Sequence, residues 1–412
     1  MLTVSEAFTQ ILQEVYPLEQ TVVPLAESLG LVLAEDVFSD IDSPPFDKSL
    51  MDGFAIDCID VYSGKAQLTV IETVMAGRVP QLAIQNGEAT QIMTGAPLPT
   101  GANSVVPVEY TQYDPEKKVV HIDTDPVEPG ANMMPRGKTC KKGDRVLPAG
   151  RQLRPQELGA LAEMGKHKVG VHRQPRVSVL ATGDELVAVH ELPGLGQIRN
   201  SNESMLAAQI TAAGAEPLPQ GIARDERQHL AEKIQQGLQA DILLLSGGVS
   251  AGQLDLVPSE LAAAGVQQVF HKVNLKPGKP LWFGILDRPA TDRDEHKPAR
   301  TYVFGLPGNP VSSMVCFELF VRTVIRRLMG VDPPEPKTVS ARLLVEHQSR
   351  GDRPTYHPAY LRWEAAGAVV RPIRWQGSSD LQATVETNCM VVFPAGDKAY
   401  SAGDEVQAIL WD

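Results

Sequence analysis

Cysteine is scarce and never paired in this sequence: Cys58, Cys140, Cys316 and Cys389 are the four in 412 residues, and none stands in a CxxC motif. The chain offers neither a disulfide framework nor a zinc site, and a reducing compartment is expected. Positive charge is also in deficit. With 38 Lys and Arg against 50 Asp and Glu, the formal net charge is −12, which argues against a general nucleic-acid or anionic-membrane surface, since both demand a positive field. A local basic pocket remains allowed. No apolar run approaches the roughly 18 residues of a membrane span, and residues 1–6 have neither the basic start nor the apolar centre of a signal segment. The expectation is a cytoplasmic protein with no nucleic-acid and no membrane partner.

Several motifs that carry chemistry are missing too. Gly194-Leu-Gly196 runs into Gln-Ile-Arg-Asn-Ser201 instead of a third glycine, which removes the main support for a nicotinamide dehydrogenase. There is no Walker loop and no GxSxG elbow, so ordinary ATPases and α/β hydrolases are set aside. The nine histidines show no HxxxH spacing and receive no role.

What is present is 43% hydrophobic and 21% charged, an ordinary globular balance, and at a prior of about 150 residues per domain the length predicts two to four domains. Thr3-Val-Ser-Glu6 reads as a capping box, and Val4, Ala7, Phe8, Ile11, Leu12 and Val15 follow at helical spacing. From Ser49 to about Pro148, β-rich runs at 68–74, 104–110 and 119–122 alternate with turn clusters, as in an inserted all-β module. Helical signals return at 154–164, with Pro155 suited to a first position and Gly165 to a stop. This helix is expected to rejoin the first in a discontinuous helical domain. From Arg176, short apolar strands alternate with helical segments at 204–213, 226–236, 255–264 and 310–328, which predicts a doubly wound, mostly parallel α/β sheet. The polar stretch 287–300 would be a hairpin or loop between two of its strands. Past a linker at 330–336, β runs at 340–345, 360–363, 369–375, 390–393 and 406–411 predict a small C-terminal β-barrel of about five strands.

The chain is organised around Asp241-Ile-Leu-Leu-Leu-Ser-Gly-Gly-Val-Ser-Ala-Gly-Gln-Leu-Asp255, an apolar strand that empties into a glycine loop. Bare amides at a strand's carboxyl end favour an anion, although glycines in a tight turn can serve dihedral needs alone. Three more loops of the same kind follow strands: Ala181-Thr-Gly-Asp-Glu185, Asn274-Leu-Lys-Pro-Gly-Lys279 and Gly305-Leu-Pro-Gly-Asn-Pro310. In a parallel sheet these ends share an edge and converge on one crevice. Asn309 as N-cap, Pro310 at the first helical position and Ser312 just inside describe a helix start ready for an oxyanion. Lys276 and Lys279 bring mobile positive charge, and Asp184, Glu185, Asp225 and Asp255 lie near the same loops. Lysines and carboxylates around a phosphate cradle suit Mg²⁺ with an anionic substrate, and helix capping is the competing reading for any single Asp.

Met51-Asp-Gly-Phe-Ala, Ile92-Met-Thr-Gly-Ala-Pro97, Ala181-Thr-Gly-Asp-Glu-Leu186, Gly196-Gln-Ile-Arg-Asn-Ser-Asn202, Ser246-Gly-Gly-Val-Ser250, Lys276-Pro-Gly-Lys-Pro280 and Gly305-Leu-Pro-Gly-Asn-Pro-Val-Ser312 occur in this order along the whole chain. The set resembles the molybdopterin molybdenumtransferases of the MoeA type, which are similar to the E domain of gephyrin. The resemblance implies a discontinuous helical domain (1–48 and 149–175), an inserted β-rich domain (49–148), an α/β domain of the molybdopterin-binding type (176–330) and the barrel (331–412). It implies an elongated homodimer whose site lies between the α/β domain of one subunit and the first two domains of the other. The implied reaction joins molybdate to adenylylated molybdopterin with Mg²⁺-dependent release of AMP. Adenylylation of molybdopterin and a non-catalytic scaffold are the alternatives, and other molybdenum-cofactor enzymes are further potential partners.

By the same resemblance, Asp52, Glu185, Asp225, Asp255, Lys276 and Lys279 form the catalytic set, with Asp225 and Asp255 toward Mg²⁺. Thr94, Arg136, Gly247, Gly248, Ser250, Asn309 and Ser312 bind substrate, with Arg353 and Ser378 on the molybdate side. The chain departs from the family pattern at Lys138 and Thr139, where two acids are usual, at Gln253, where an acid is common, and at Arg353-Pro-Thr-Tyr356, which lacks a usual Glu.

Overall fold

Ile242–Ser246 is buried at every position, as a strand must be when layers cover both faces of its sheet. The computed structural model describes residues 1–248, 256–287 and 300–411. It divides into two compact units, one of Met1–Ala34, Gly150–Leu153 and Val169–Asp412, the other of Glu35–Ala149 and Arg154–Lys168. Element labels follow the first unit.

Its main sheet has β1 (Arg176–Thr182), β2 (Glu216–Ala223), β3 (Ile242–Ser246), β4 (Gln267–His271), β5 (Trp282–Asp287) and β6 (Arg300–Leu306) in the order β2-β1-β3-β6-β5-β4. The first four strands in that order are parallel. β5 runs against β6 and β4 against β5, so two reversals return β4 to the common direction. One row of paired residues, Leu180, Leu245, Gly305, Trp282 and His271, crosses five strands. The chain therefore leaves β1, β2, β3, β4 and β6 by a single edge, the convergence expected from the glycine- and lysine-bearing loops.

Side-chain alternation divides the core. Ile242 and Leu244 of β3 belong to one apolar cluster, Leu243 and Leu245 to the other. The first cluster takes α1 (Val4–Glu14), α2 (Ser201–Ala212) and the helices after β6; the second takes α3 (Arg227–Gly237) and α4 (Val257–Ala263). α1 begins with the expected box: the Glu6 amide donates to Thr3 Oγ1 at 3.2 Å, and the Thr3 amide donates to Glu6 Oε2 at 2.7 Å. Phe8 then packs on Phe320 with ring centroids 5.0 Å apart. The helix predicted at 310–328 forms as α5 (Pro310–Cys316) and α6 (Arg322–Leu328), joined by a π-wound turn at Phe317–Val321. That turn carries a buried ion pair, Arg322 Nε donating to Glu318 Oε2 at 2.6 Å.

β7 (Thr338–Leu343), β8 (Thr355–Glu364), β9 (Gly367–Pro372), β10 (Cys389–Phe393) and β11 (Glu405–Leu410) close into a barrel in the order β7-β9-β8-β10-β11. Leu343, Ala359, Val370, Val391, Phe393 and Ala408 fill it. At one end His357 is 7% exposed, sits 5.1 Å from the His347 ring and 5.3 Å from Trp375, and its Nε2 lies 2.8 Å from the Ile373 carbonyl oxygen. Burial pushes the His357 pKa down to about 4. Between the ordinary histidine value and that figure, the unfolded chain binds a proton that the folded chain refuses. Stability should fall as the pH drops from about 6.5 to about 4, by roughly 3 kcal/mol from this group, and stay level with respect to it outside that window. Urea unfolding across the range should show a flatter dependence for His357→Gln; an unchanged slope would contradict this.

The second unit holds a six-stranded sheet in the order Ser104–Pro107, Gly53–Ile56, Glu88–Ile92, Lys65–Val74, Val119–Asp123 and Thr111–Asp114. Phe54, Ile56, Leu68, Val70, Val106 and Val120 form its core. The helix Pro155–Glu163 belongs to this unit and α1 to the other.

Candidate active site

Glycine is obligatory where β3 ends. Gly247 and Gly248 have φ of 98° and 64°, and a β-carbon would lie 2.7 Å from the Thr182 carbonyl oxygen at the first and 2.7 Å from Val257 Cγ2 at the second. The dihedral and packing demands of the turn thus account for glycine at both positions. One expectation needs correction: the Gly247 amide is not a bare donor, because it donates to the Leu306 carbonyl oxygen at 3.1 Å and extends the β3–β6 ladder. Ser250, Gly252, Gln253 and Asp255 lie outside the described residues.

The loop after β6 meets this turn through a residue to which sequence reasoning gave no role. Asn202, in the first turn of α2, donates from Nδ2 to Ser246 Oγ and to the Gly308 carbonyl oxygen, both at 2.8 Å. It fastens the ends of β3 and β6 to a helix start. Its presence in the motif Gly196–Asn202 was visible; the partners, 44 and 106 residues onward, were not.

The lysine loop after β4 is held by backbone. The Lys276 amide donates to the Pro354 carbonyl oxygen at 2.9 Å, and the Tyr356 amide returns a bond to Lys276 O at 2.8 Å. Arg353 Nη1 donates to the Leu275 carbonyl oxygen at 3.0 Å. Gly278, at φ 117°, passes so close to Cys316 that a β-carbon would stand 2.5 Å from its Sγ. The backbone is thereby fixed, while the side chains of Lys276 and Lys279 stay exposed. Among the described residues neither ammonium group has a hydrogen-bond or salt-bridge partner, so the fixed backbone presents their charge outward. Arg353 supports this loop, so the structure joins it to Lys276 through the peptide chain.

The helix start is only partly as expected. Asn309 is the N-cap and Pro310 opens α5, but the Asn309 side chain does not cap its own helix. Its Nδ2 donates instead to Ser378 Oγ at 2.9 Å, and the Val311 amide donates to the Ser378 carbonyl oxygen at 3.0 Å. One of the amides expected to face an oxyanion is therefore taken by Ser378, from the segment between β9 and β10. Ser312 is 5% exposed in the same turn, and Ser313 donates to the Pro307 carbonyl oxygen.

Carboxylates border the other side of the edge. The Asp225 amide, just past β2, donates to Asp184 Oδ1 at 3.2 Å, and Arg224 Nη1 reaches the Leu186 carbonyl oxygen at 3.1 Å. Asp184, Glu185 and Asp225 are all exposed. Among the described residues no group of three metal-ligating side chains is gathered. Mg²⁺ takes one or two carboxylates and completes its shell with phosphate oxygens and water, and exposed acids are the ligand type it accepts.

The second unit brings Asp52 and Thr94 together: the Thr94 amide and hydroxyl donate to Asp52 Oδ1 at 2.7 and 2.8 Å. That amide, then the hydroxyl, holds the Asp52 carboxyl below its ordinary range. Arg136 is held differently, its amide donating to Asp47 at 2.7 Å and its Nε to Asp42 at 2.6 Å. At the departures, Thr139 donates its hydroxyl to the Ser43 carbonyl oxygen at 2.6 Å, and Lys138 is exposed.

A mostly parallel sheet whose carboxyl-end loops carry exposed lysines, exposed acids and a glycine turn has the framework of an α/β enzyme. The chain matches models of the MoeA N-terminal region (domain I and II) over residues 2–165, a probable molybdopterin binding domain over 178–327 and the MoeA C-terminal region (domain IV) over 340–411. It is 33% identical to the molybdopterin molybdenumtransferase of Staphylococcus aureus strain COL, covering 99% of this chain and 95% of that protein. Identity to the Nostoc sp. molybdopterin molybdenumtransferase is 36%, over 93% and 87% of the two chains. The crystal structure of the molybdopterin biosynthesis moeA protein from Pyrococcus horikoshii OT3 superposes with a TM-score of 0.82 at 29% identity, covering 100% of both chains. The chain belongs to the molybdopterin molybdenumtransferase family, and its work is in molybdenum cofactor biosynthesis.

Proposed function

We propose that the transferase acts on adenylylated molybdopterin, joining molybdate to the dithiol with loss of one molybdate oxygen as water, while water opens the phosphoanhydride and AMP leaves. The observation that carries this reading is the rigid loop that holds Lys276 and Lys279 exposed at the strand edge shared with Asp225. Molybdate and the adenylate phosphates are both anionic, and fixed ammonium groups stabilise charge that builds as the phosphoanhydride opens. Lys276, Lys279 and Ser312 attend the oxyanion, with Arg353 and Ser378 buttressing that side. Gly247, Gly248, Ser250 and Asn309 border the substrate, and Glu185 lies toward its phosphates. Asp225 and Asp255 would hold Mg²⁺, which supplies Lewis-acid polarisation of phosphate oxygens when bound.

The second contribution comes from Asp52, Thr94 and Arg136, and we propose that a homodimer supplies it, each site being shared between subunits. Sedimentation at twice the chain mass supports this; a monomer in solution refutes it. The four-domain division at 1–48 with 149–175, 49–148, 176–330 and 331–412 goes with the same proposal. Four cysteines without a disulfide among the described residues fit a reducing compartment, the cytoplasm in this reading.

The competing step, adenylylation, uses the same kind of α/β domain. Purified protein supplied with ATP and unmodified molybdopterin should show no turnover, and adenylylated molybdopterin with molybdate should yield AMP. The reverse pattern assigns the chain to adenylylation.

A further inference from the structure

The loop that follows Met133–Met134 carries four cations in seven residues, Arg136, Lys138, Lys141 and Lys142, and all four are exposed. Its acids are turned inward. Asp47 Oδ1 accepts the Arg136 amide at 2.7 Å, Asp42 Oδ1 the Lys142 amide at 2.9 Å, and Asp144 Oδ2 the Lys141 amide at 2.9 Å. Asp42 also accepts from Arg136 Nε at 2.6 Å. The carboxylates build the loop, whereas the ammonium groups of Lys138, Lys141 and Lys142 have no hydrogen-bond or salt-bridge partner among the described residues.

Backbone bonds fix where Lys138 stands. The Gly137, Lys138 and Thr139 amides donate to the Pro44, Pro135 and Ser43 carbonyl oxygens at 2.9, 3.2 and 3.0 Å. A β-carbon on Gly137, whose φ is 67°, would lie 3.4 Å from Lys141 Cγ, so the Lys141 stem passes over the turn. Thr139 gives its hydroxyl to the Ser43 carbonyl oxygen and serves the turn. Of the two departures from the family pattern, only Lys138 projects charge. In place of two acids, at −2, the pair carries +1.

One short strand joins this loop to the Asp52–Thr94 pair within the second unit. Lys48–Ser49 pairs with Met133–Met134 on one side. On the other, the Ser49 amide donates to the Ala96 carbonyl oxygen at 2.9 Å, and the Ser49 carbonyl oxygen accepts the Gly95 amide at 2.8 Å. Asp47 spans both sides, its carbonyl oxygen accepting the Leu98 amide at 2.9 Å while its carboxylate holds Arg136.

We propose that Lys138 is a substrate-binding residue that takes an oxyanion, from the adenylate phosphates or from molybdate, with Lys141 adding a second charge. The inference rests on the proposal that the second unit contributes to the shared site. An unpartnered ammonium on a fixed backbone meets an anion without first breaking an ion pair.

The test is isothermal titration of adenylylated molybdopterin and, separately, of molybdate into the full chain as isolated, in the native form and as Lys138→Ala, Lys138→Glu and Lys65→Glu. Lys65 opens the strand whose other end, Val74, pairs with Ile92 beside Gly53, so its replacement changes net charge equally at the far end of the same sheet. Lys138→Ala should bind its ligand about tenfold more weakly and Lys138→Glu about a hundredfold, with melting temperatures unchanged. Lys65→Glu should stay within about twofold of native, because solvent and salt screen a distant exposed charge. The ligand that loses affinity identifies the source of the oxyanion. Losses at Lys138 no larger than at Lys65 overturn the proposal, since the lysine is then only a solvated charge. If the native protein binds neither ligand, the reading of the shared site fails, and the proposal with it.

Discussion

Lys279→Ala is expected to lower kcat/KM by at least about a hundredfold and to leave stability within about 0.5 kcal/mol of native, the range for an exposed side chain. Both parts follow from one arrangement. The Lys276–Lys279 loop is tied to the barrel by main-chain bonds to Pro354 and Tyr356 and by Arg353 to the Leu275 carbonyl oxygen. None of these bonds uses a lysine ammonium, so truncating Lys279 removes charge from the site without loosening the loop. Loss of kcat with little change in KM would mean that the ammonium acts chiefly as charge develops. The proposed homodimer with shared sites gives a second signature. When Lys279→Ala and Asp52→Ala chains are mixed, half of the dimers are hybrid and each hybrid has one intact site, so about a quarter of the native activity should return. A folded Lys279→Ala enzyme with native turnover would remove the lysines from the chemistry.

Glu318→Ala is expected to cost about 3–5 kcal/mol of stability, measured by urea unfolding. Glu318 and Arg322 have side chains 5% and 7% exposed and meet at 2.6 Å, with a second bond from Arg322 Nη2 at 3.0 Å. Gln209 of α2 donates to Glu318 Oε1 at 2.6 Å. Alanine would leave a buried guanidinium and a buried amide unmet, so most of the loss is uncompensated desolvation and not the worth of the pair itself. The double replacement Glu318→Leu with Arg322→Met should recover much of it. A single-variant loss under about 1 kcal/mol would show that water reaches the π-wound turn.

Local signals proved the legible ones. Thr3 and Glu6 announce α1 because the capping box closes within four residues. The unbroken burial of β3 and the obligatory Gly247 and Gly248 follow from the short apolar run and its glycines. The five-stranded barrel was readable from the spacing of its β runs. What was illegible depends on partners far along the chain. Ser378 takes the Val311 amide from 67 residues away, and Arg353 reaches Leu275 across 78; no spacing rule links such pairs. The Gly247 amide joins the β3–β6 ladder for the same reason. Direction of β5 was hidden as well, because an antiparallel strand and a parallel one share a buried apolar pattern. Asn202 stood inside a recognised motif, yet its function as a clamp depends on two strand ends that only folding brings to it.

The proposed function couples molybdate to adenylate cleavage at the lysine-bearing strand edge. A single-turnover assay of AMP release from adenylylated molybdopterin, run with and without molybdate and with and without Mg²⁺, measures that coupling directly. About one AMP per site is expected when both are present and little when either is omitted, with the burst abolished in Lys279→Ala. AMP release that ignores molybdate, or a full burst in the folded Lys279→Ala protein, would contradict it.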